Sequence, residues 1–301
     1  LAWALTMGAV WFTLRWYRES TLKNIIGLAF CIGLGMMTKV SVGLIAPSVT
    51  IVFIAVLIKA RKKYFLKLLG QFTAFAVVCA PLGLWFPIRG LVRWEIPLTY
   101  VQELPEMDQT IKGTTFIDRI TDFSTYQFSR VFENWLWYDG NGDPQSYNEH
   151  NPLIAILKNS IFGEFITEGN FTHYPFMLTV CKWLFWLAAF IAAAAFIAMI
   201  VSLFRKCAAD SVQKIFLVSF HLILVGNLYV LSKNYPMVCS MNFRYIMPTV
   251  FIGAFFLGAS LTRADKQGST PAKVLKLSSY AVVLAFAVMS SLVYLMVVID
   301  R

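Results

Sequence analysis

The chain reads as an all-α integral membrane protein: a multi-spanning helical bundle of about eight spans with one mixed extracytoplasmic module. Three observations predict this. Hydrophobic residues make up 58% of the 301 positions and mean hydropathy is +0.65, so apolar runs of spanning length recur from end to end. Polar residues concentrate in one stretch, 89–174, which divides the chain into helices 1–88, a module 89–174 and helices 175–301. The cations are segregated from that module into short loops.

Each span follows from a run of apolar residues and from what interrupts it. Leu1–Leu14 is the first, followed by a basic, aromatic loop with Arg15, Arg18 and Lys23. The chain starts at Leu1 inside that run with no basic leader segment, which predicts an N-terminal truncation rather than a signal peptide. Gly27–Ile58 is apolar apart from Thr38-Lys39 and a few small polar residues. As one helix its 32 residues would reach roughly 48 Å at 1.5 Å per residue, well beyond the ~30 Å of hydrocarbon. A lysine inside such a run is also costly. Two helices, Ile25–Met37 and Val40–Ile58, meeting at a Thr38-Lys39 turn satisfy both constraints.

Lys59-Ala-Arg-Lys-Lys63 with Lys67 precedes the fourth run, Leu68–Ile88, where Pro81 and Pro87 predict a kink or an end. Within the module, Phe116–Tyr138 reads as an interfacial amphipathic helix. Asp139–Pro144 reads as a turn, Pro152–Lys158 as a short helix and Ser160–Gly169 as a loop. Four more spans follow: Phe176–Leu203, Ile215–Leu231, Tyr245–Leu261 and Leu277–Ile299.

Charge sets the orientation. The loops 15–24, 59–67, 204–214 and 262–276 hold 15 Lys/Arg against 3 Asp/Glu, whereas 89–174 holds 6 against 12. If each run crosses once, the four basic loops share one face, which the positive-inside rule makes cytoplasmic. Lys39, Arg244 and the module then share the other, extracytoplasmic face. The net charge of +10 is therefore loop charge and predicts no nucleic-acid partner. Five scattered cysteines without a CxxC pair give neither a disulfide framework nor a zinc site.

Several residues are candidates for chemistry, each beside a plainer reading. Lys39 either snorkels to the interface or holds a lipid phosphate or other anion. Arg244, ahead of Tyr245-Ile-Met-Pro248, either anchors the chain or grips a phosphate with its planar fork. Arg89 and Arg93, just past the fourth run, favour anchoring. Gly27, Gly33 and Gly35 favour close helix packing over nucleotide binding. Asp139, Asn141 and Asp143 have the spacing of a calcium loop, but Pro144 and His150 stand where that loop needs Gly and Glu. Glu149, His150 and Glu164 are polar groups with acid, base or ligand chemistry and no diagnostic spacing. His221 with Asn227 lies inside a span, where an interhelical hydrogen bond is the commoner use. Asn170-Phe-Thr172 is an N-glycosylation sequon. No spacing demands a metal.

Gly33-Leu-Gly-Met-Met-Thr-Lys39, the apolar return to a Lys/Arg patch, and a helix ending Pro81-Leu-Gly-Leu-Trp85 together resemble polyprenyl-phosphate-dependent glycosyltransferases of the GT-C fold. The likeness is to the family that includes the aminoarabinose transferase of lipid A and the protein O-mannosyltransferases. Arg244-Tyr-Ile-Met-Pro248 is similar to a late segment of the same family. The resemblance covers 1–100 and, more loosely, 240–261.

It implies a membrane enzyme that takes a sugar from a polyprenyl-phosphate-linked donor and passes it to a lipid, protein or cell-envelope acceptor outside the cytoplasm. It implies Lys39 near the carrier phosphate, with Arg244, Arg89 and Arg93 as further donor-phosphate-binding candidates. The family's catalytic carboxylate lies in its first outer loop, so the resemblance puts the acidic base upstream of Leu1 and predicts that the 301 residues alone are inactive. A divalent metal is compatible with the family, but no His accompanies Arg89 and Arg93 here. A transporter or flippase of lipid-linked saccharides is the alternative, and a membrane anchor or assembly scaffold a third reading. Membrane lipids are partners in every case.

Overall fold

A computed structural model describes residues 1–60, 62–96, 110–111, 114–124, 128, 131–132, 137–138, 144–145, 150–163, 166–205, 209–267 and 270–299. Ten α-helices dominate the described residues, with one two-residue antiparallel pair, β1 (Trp137–Tyr138) and β2 (Pro144–Gln145). Five helical stretches are long and apolar enough to cross a membrane: Val40–Lys59, Tyr64–Trp94, Phe176–Phe204, Ser211–Asn234 and Thr270–Ile299. The chain thus has the character of a helical membrane protein. The other three expected spans fall on helices of 17 residues (Ala2–Arg18 and Leu22–Thr38) and on Pro248–Gln267, whose last turns carry Arg263, Asp265 and Lys266. A 17-residue helix is roughly 25 Å long, short of the hydrocarbon thickness.

The chain folds as two compact units. The first comprises Leu1–Leu104, Ala208–Leu224 and Met247–Ile252. It holds α1 (Ala2–Arg18), α2 (Leu22–Thr38), a 3-10 segment (Val40–Ile45), α3 (Ala46–Lys59) and α4 (Lys62–Trp94). Thr21 starts α2 by accepting the Asn24 N–H. Small residues bring the helices together. A Cβ on Gly27 would stand 2.5 Å from the Phe12 ring, and one on Gly33 would stand 2.8 Å from Leu82 Cβ. The glycines of the Gly-rich run are therefore packing residues: Gly27 is covered by α1, Gly33 by α4 and Gly35 by Val42 of the 3-10 segment.

The order of contacts fixes the directions in this unit. Phe12 meets Gly27 and Cys31 meets Gly8, so α1 and α2 run oppositely; Ser20 meets Gln71, Gly33 meets Leu82 and Met36 meets Gly83, so α2 and α4 run alike. Trp16, with no exposed surface, donates its indole N–H to Gln71 Oε1 at 2.7 Å, and Gln71 Nε2 donates to Ser20 O at 2.8 Å. Phe53 and Phe72 pack against the same indole. The C-terminal ends of α1 and α3 and the N-terminal ends of α2 and α4 therefore lie together.

Two expectations are corrected here. The helix α1 runs on through Arg15 and Arg18. Of the kink or end expected at Pro81 and Pro87 the end does not occur: α4 continues through both to Trp94, so Arg89 and Arg93 sit in its last turns rather than beyond it. Each proline removes one donor, leaving the Val77 and Gly83 carbonyls without an i+4 partner. Isolated losses of this kind are tolerated in membrane-type helices.

The second unit comprises Pro105–Cys207, Val225–Ile246 and Gly253–Arg301. It holds α5 (Phe116–Thr121), α6 (Pro152–Phe162) and α7 (Phe176–Phe204), together with α10 (Thr270–Ile299). The helices α8 (Ser211–Asn234) and α9 (Pro248–Gln267) contribute to both units. Its core is aromatic and aliphatic: Phe132, Phe162, Phe171, Cys181, Leu184, Phe185 and Val293 are buried together. The continuous helix expected over Phe116–Tyr138 is interrupted: α5 ends at Thr121, Asp122 to Ser124 are not helical and Trp137–Tyr138 pairs with Pro144–Gln145, while 125–127, 129–130 and 133–136 lie outside the described residues. Thr115 and Asp118 form a capping box that starts α5. Asp122 ends it by turning its carboxylate back onto the Ser124 N–H at 2.9 Å. Conversely, α6 extends past Lys158 to Phe162, because Asn151 caps it through the Leu153 and Ile154 N–H groups and Pro152 occupies its first turn.

Candidate functional site

Lys39 is set at a break built by its neighbours. Val40 to Ile45 form a 3-10 helix rather than an α-helix. Pro47, in the first turn of α3, supplies the reason: it has no N–H to give the Gly43 carbonyl, and its ring would clash there if the α-helix continued backward. Lys39 itself is extended, with φ −160° and ψ 119°. Its N–H closes α2 on Gly35 O at 2.9 Å, where Thr38 Oγ1 also donates at 2.7 Å. The ammonium is 5.6 Å from the Trp3 ring centroid, a cation–π distance, on a half-buried side chain.

Arg89 and Arg93, four residues apart, share a face of α4. Both are exposed, and the Arg89 guanidinium lies 5.2 Å from the Trp94 ring centroid. Since α2 and α4 run alike, Lys39 and Arg89 lie beyond the same end of their contact, away from the ends joined by Trp16 and Gln71.

Arg244 belongs to the second unit. It is exposed on a 3-10 turn, Phe243–Tyr245, with its guanidinium 5.4 Å from the Tyr245 ring centroid. Asn242 caps that turn by accepting the Arg244 N–H, and Asn159 of α6 accepts the Phe243 N–H at 3.0 Å. The turn presenting Arg244 is thus fixed by α6.

The same unit holds a constellation that sequence reasoning missed. Arg119, 2% exposed, donates Nε to His150 O at 3.2 Å and Nη1 to Ser232 O at 2.6 Å. Its Nη2 lies 3.5 Å from Met241 Sδ. Burial pulls its proton affinity below the ordinary arginine value, yet an arginine remains charged there. His150 Nε2 stands 2.6 Å from Asp122 Oδ2, and Asn151 Nδ2 donates to Asp122 O at 2.9 Å. The Ser124 backbone N–H, above all, holds the Asp122 carboxyl below the usual range, with Ser124 and His150 side chains helping. A carboxylate-oriented imidazole has the chemistry of a general base or acid. Only His150 carried a signal in the sequence; its partner lies 28 residues away.

Glu149 and Glu164, together with Asp139, Asn141 and Asp143, lie outside the described residues. Asn170 of the sequon uses its side-chain oxygen to accept the Thr167 N–H at 2.8 Å. His221 and Asn227 are both half-buried on α8. Among the described residues no three His, Cys, Asp or Glu side chains converge as a metal site. No protein-family model, characterised protein or solved structure matches the chain.

Proposed function

We propose that this is a membrane glycosyltransferase, crossing a bacterial plasma membrane about eight times, that moves a sugar from a polyprenyl-phosphate carrier to a lipid, protein or cell-envelope acceptor. The module 89–174 and Lys39 are on the extracytoplasmic side in this reading. The observation that carries it is the Lys39 joint: a half-buried ammonium at a break between apolar helices, reached by Trp3, with the glycines before it already occupied by packing. The departing carrier phosphate gains charge as the sugar leaves, and a preorganised cation at that oxygen lowers the barrier. Arg89, Arg93 and Arg244 are further cations for donor or acceptor anions. The Asp122–His150 pair offers proton-accepting chemistry to this reaction.

The break itself favours a second reading, since discontinuous helices line the sites of many transporters. One experiment separates the two. Membranes from cells making the full protein would be given a panel of undecaprenyl-phosphate-linked pentoses and hexoses, and free undecaprenyl phosphate measured by mass spectrometry. Carrier release that Lys39→Ala lowers roughly 100-fold or more, with membrane insertion unchanged, is the expected result. Full turnover by Lys39→Ala overturns the role of Lys39. Movement of intact donor across the membrane without cleavage favours the transporter.

A further inference from the structure

The end of the first unit opposite Lys39 holds a cavity of about 720 Å³ lined by Tyr17, Arg18, Lys59, Tyr64, Lys67 and Asp210, with Val56 and Leu68 as its apolar wall. We propose that this cavity binds the headgroup phosphate of an anionic phospholipid drawn from the adjoining leaflet. The inference goes beyond sugar transfer and does not depend on it.

Three stretches distant in sequence build the cavity, around Arg18, from Val56 to Leu68 and at Asp210, because α1 and α3 end where α2 and α4 begin. Arg18 comes from the end of α1, Lys59 from the end of α3, Tyr64 and Lys67 from the first turns of α4, and Asp210 from the residue before α8. Among the described lining residues three cations face one carboxylate. That carboxylate is already engaged: Asp210 Oδ1 accepts the Gln213 N–H at 3.0 Å while Gln213 Oε1 accepts the Asp210 N–H at 3.1 Å, a reciprocal cap on α8. A net excess of positive charge remains, and an anion satisfies it.

Lys59 is also held in place. Its ammonium donates to Tyr17 OH at 2.7 Å and lies 5.1 Å from the Tyr17 ring centroid. A lysine merely solvated at a helix end has no such tether and loses more side-chain freedom when an anion binds.

Depth argues for a lipid rather than a soluble phosphate. Val40–Lys59 is a candidate span that ends at Lys59, and Tyr64–Trp94 is one that begins at Tyr64. The cavity therefore lies at the level where apolar side chains give way to Tyr and Lys, the composition of a membrane interface. Val56 and Leu68, one turn deeper along α3 and α4, continue its wall toward the hydrocarbon. A ligand with a phosphate at one end and an acyl chain at the other matches both parts.

The test uses the full chain in dodecylmaltoside with dioleoylphosphatidylglycerol, dioleoylphosphatidylcholine or glycerol 3-phosphate added, and bound adducts counted by native mass spectrometry. The anionic lipid is expected to be retained at least about tenfold over the zwitterionic one. Lys59→Gln and Lys67→Gln, both at exposed positions, are each expected to weaken retention about fivefold, the worth of one cation near an anionic headgroup. Tyr17→Phe should weaken it less, by releasing Lys59. Lys273→Gln, an exposed lysine of α10 outside the cavity, should change nothing. Equal retention of both lipids overturns the proposal, as does an equal loss in Lys273→Gln. Glycerol 3-phosphate bound as tightly as the anionic lipid overturns its assignment to the leaflet.

Discussion

His150 and Asp122 face each other at 2.6 Å, imidazole Nε2 to carboxylate Oδ2, and Arg119 joins both their segments to a third. Its guanidinium reaches the backbone of His150 itself and of Ser232. The pair therefore does not rest on a loop alone. It sits where α5, the start of α6 and the end of α8 are tied by one buried cation.

Arg119→Met is expected to destabilise the second unit by about 2 kcal/mol, because two carbonyl oxygens lose a charged donor. Arg119→Lys should recover little, since one ammonium cannot reproduce a planar fork. Thermal unfolding in detergent measures both. An unchanged melting temperature for the methionine variant would show that the guanidinium is not the tie.

Acid should loosen α5 before it unfolds the rest. Hydrogen bonds from Thr115, side chain first and then backbone, hold the Asp118 carboxyl below its ordinary value, and the Ser124 N–H does the same for Asp122. The folded chain thus binds fewer protons at these groups than the unfolded chain. Their stabilisation is full above the ordinary carboxylate value of about 3.9 and is lost as pH falls through the lower folded values. Exchange of the Asp118 and Ser124 amides, corrected for intrinsic pH dependence, should accelerate below that point. Asp118→Asn and Asp122→Asn should abolish the acceleration, and an identical profile in the variants would contradict it.

Two glycines make opposite predictions from the same substitution. A Cβ on Gly33 would meet Leu82 Cβ at 2.8 Å and the Cys79 carbonyl oxygen at 3.3 Å, whereas a Cβ on Gly70 meets nothing within 4 Å. Gly33→Ala should therefore cost about 1–3 kcal/mol through overpacking between α2 and α4. Gly70→Ala, inside α4, should gain roughly 0.5–1 kcal/mol from backbone entropy. Thermal unfolding compares them directly, and equal effects would contradict the close approach at Gly33.

Much of this was legible where the signal is local. The interruption at Lys39 follows from a polar dipeptide in an apolar run, and the alternation of basic loops corresponds to how α1 to α4 run in the first unit. The conformation of the break was harder, because Pro47, its cause, lies eight residues further on. Of the kink or end read from Pro81 and Pro87, the end does not occur, since a long apolar helix tolerates the loss of single donors. Gln71, Arg119 and Asp122 carried no signal at all. Their partners are 55, 113 and 28 residues away, and pairing at that range exists only after the chain has folded. Phe116–Tyr138 was aromatic enough to suggest a helix, but the Asp122 side chain competes with the backbone for the Ser124 N–H and ends it.

The 3-10 segment after Lys39 also changes how the first unit answers its surroundings. A continuous helix tilts as one rod when the bilayer thins or thickens. Here the arms α2 and α3 meet through six residues with weaker i to i+3 bonding, so no single helix axis fixes the angle between them. The Lys39 joint is thus the place in this hairpin where a thickness change can be taken up, at the end away from the one tied by Trp16 and Gln71.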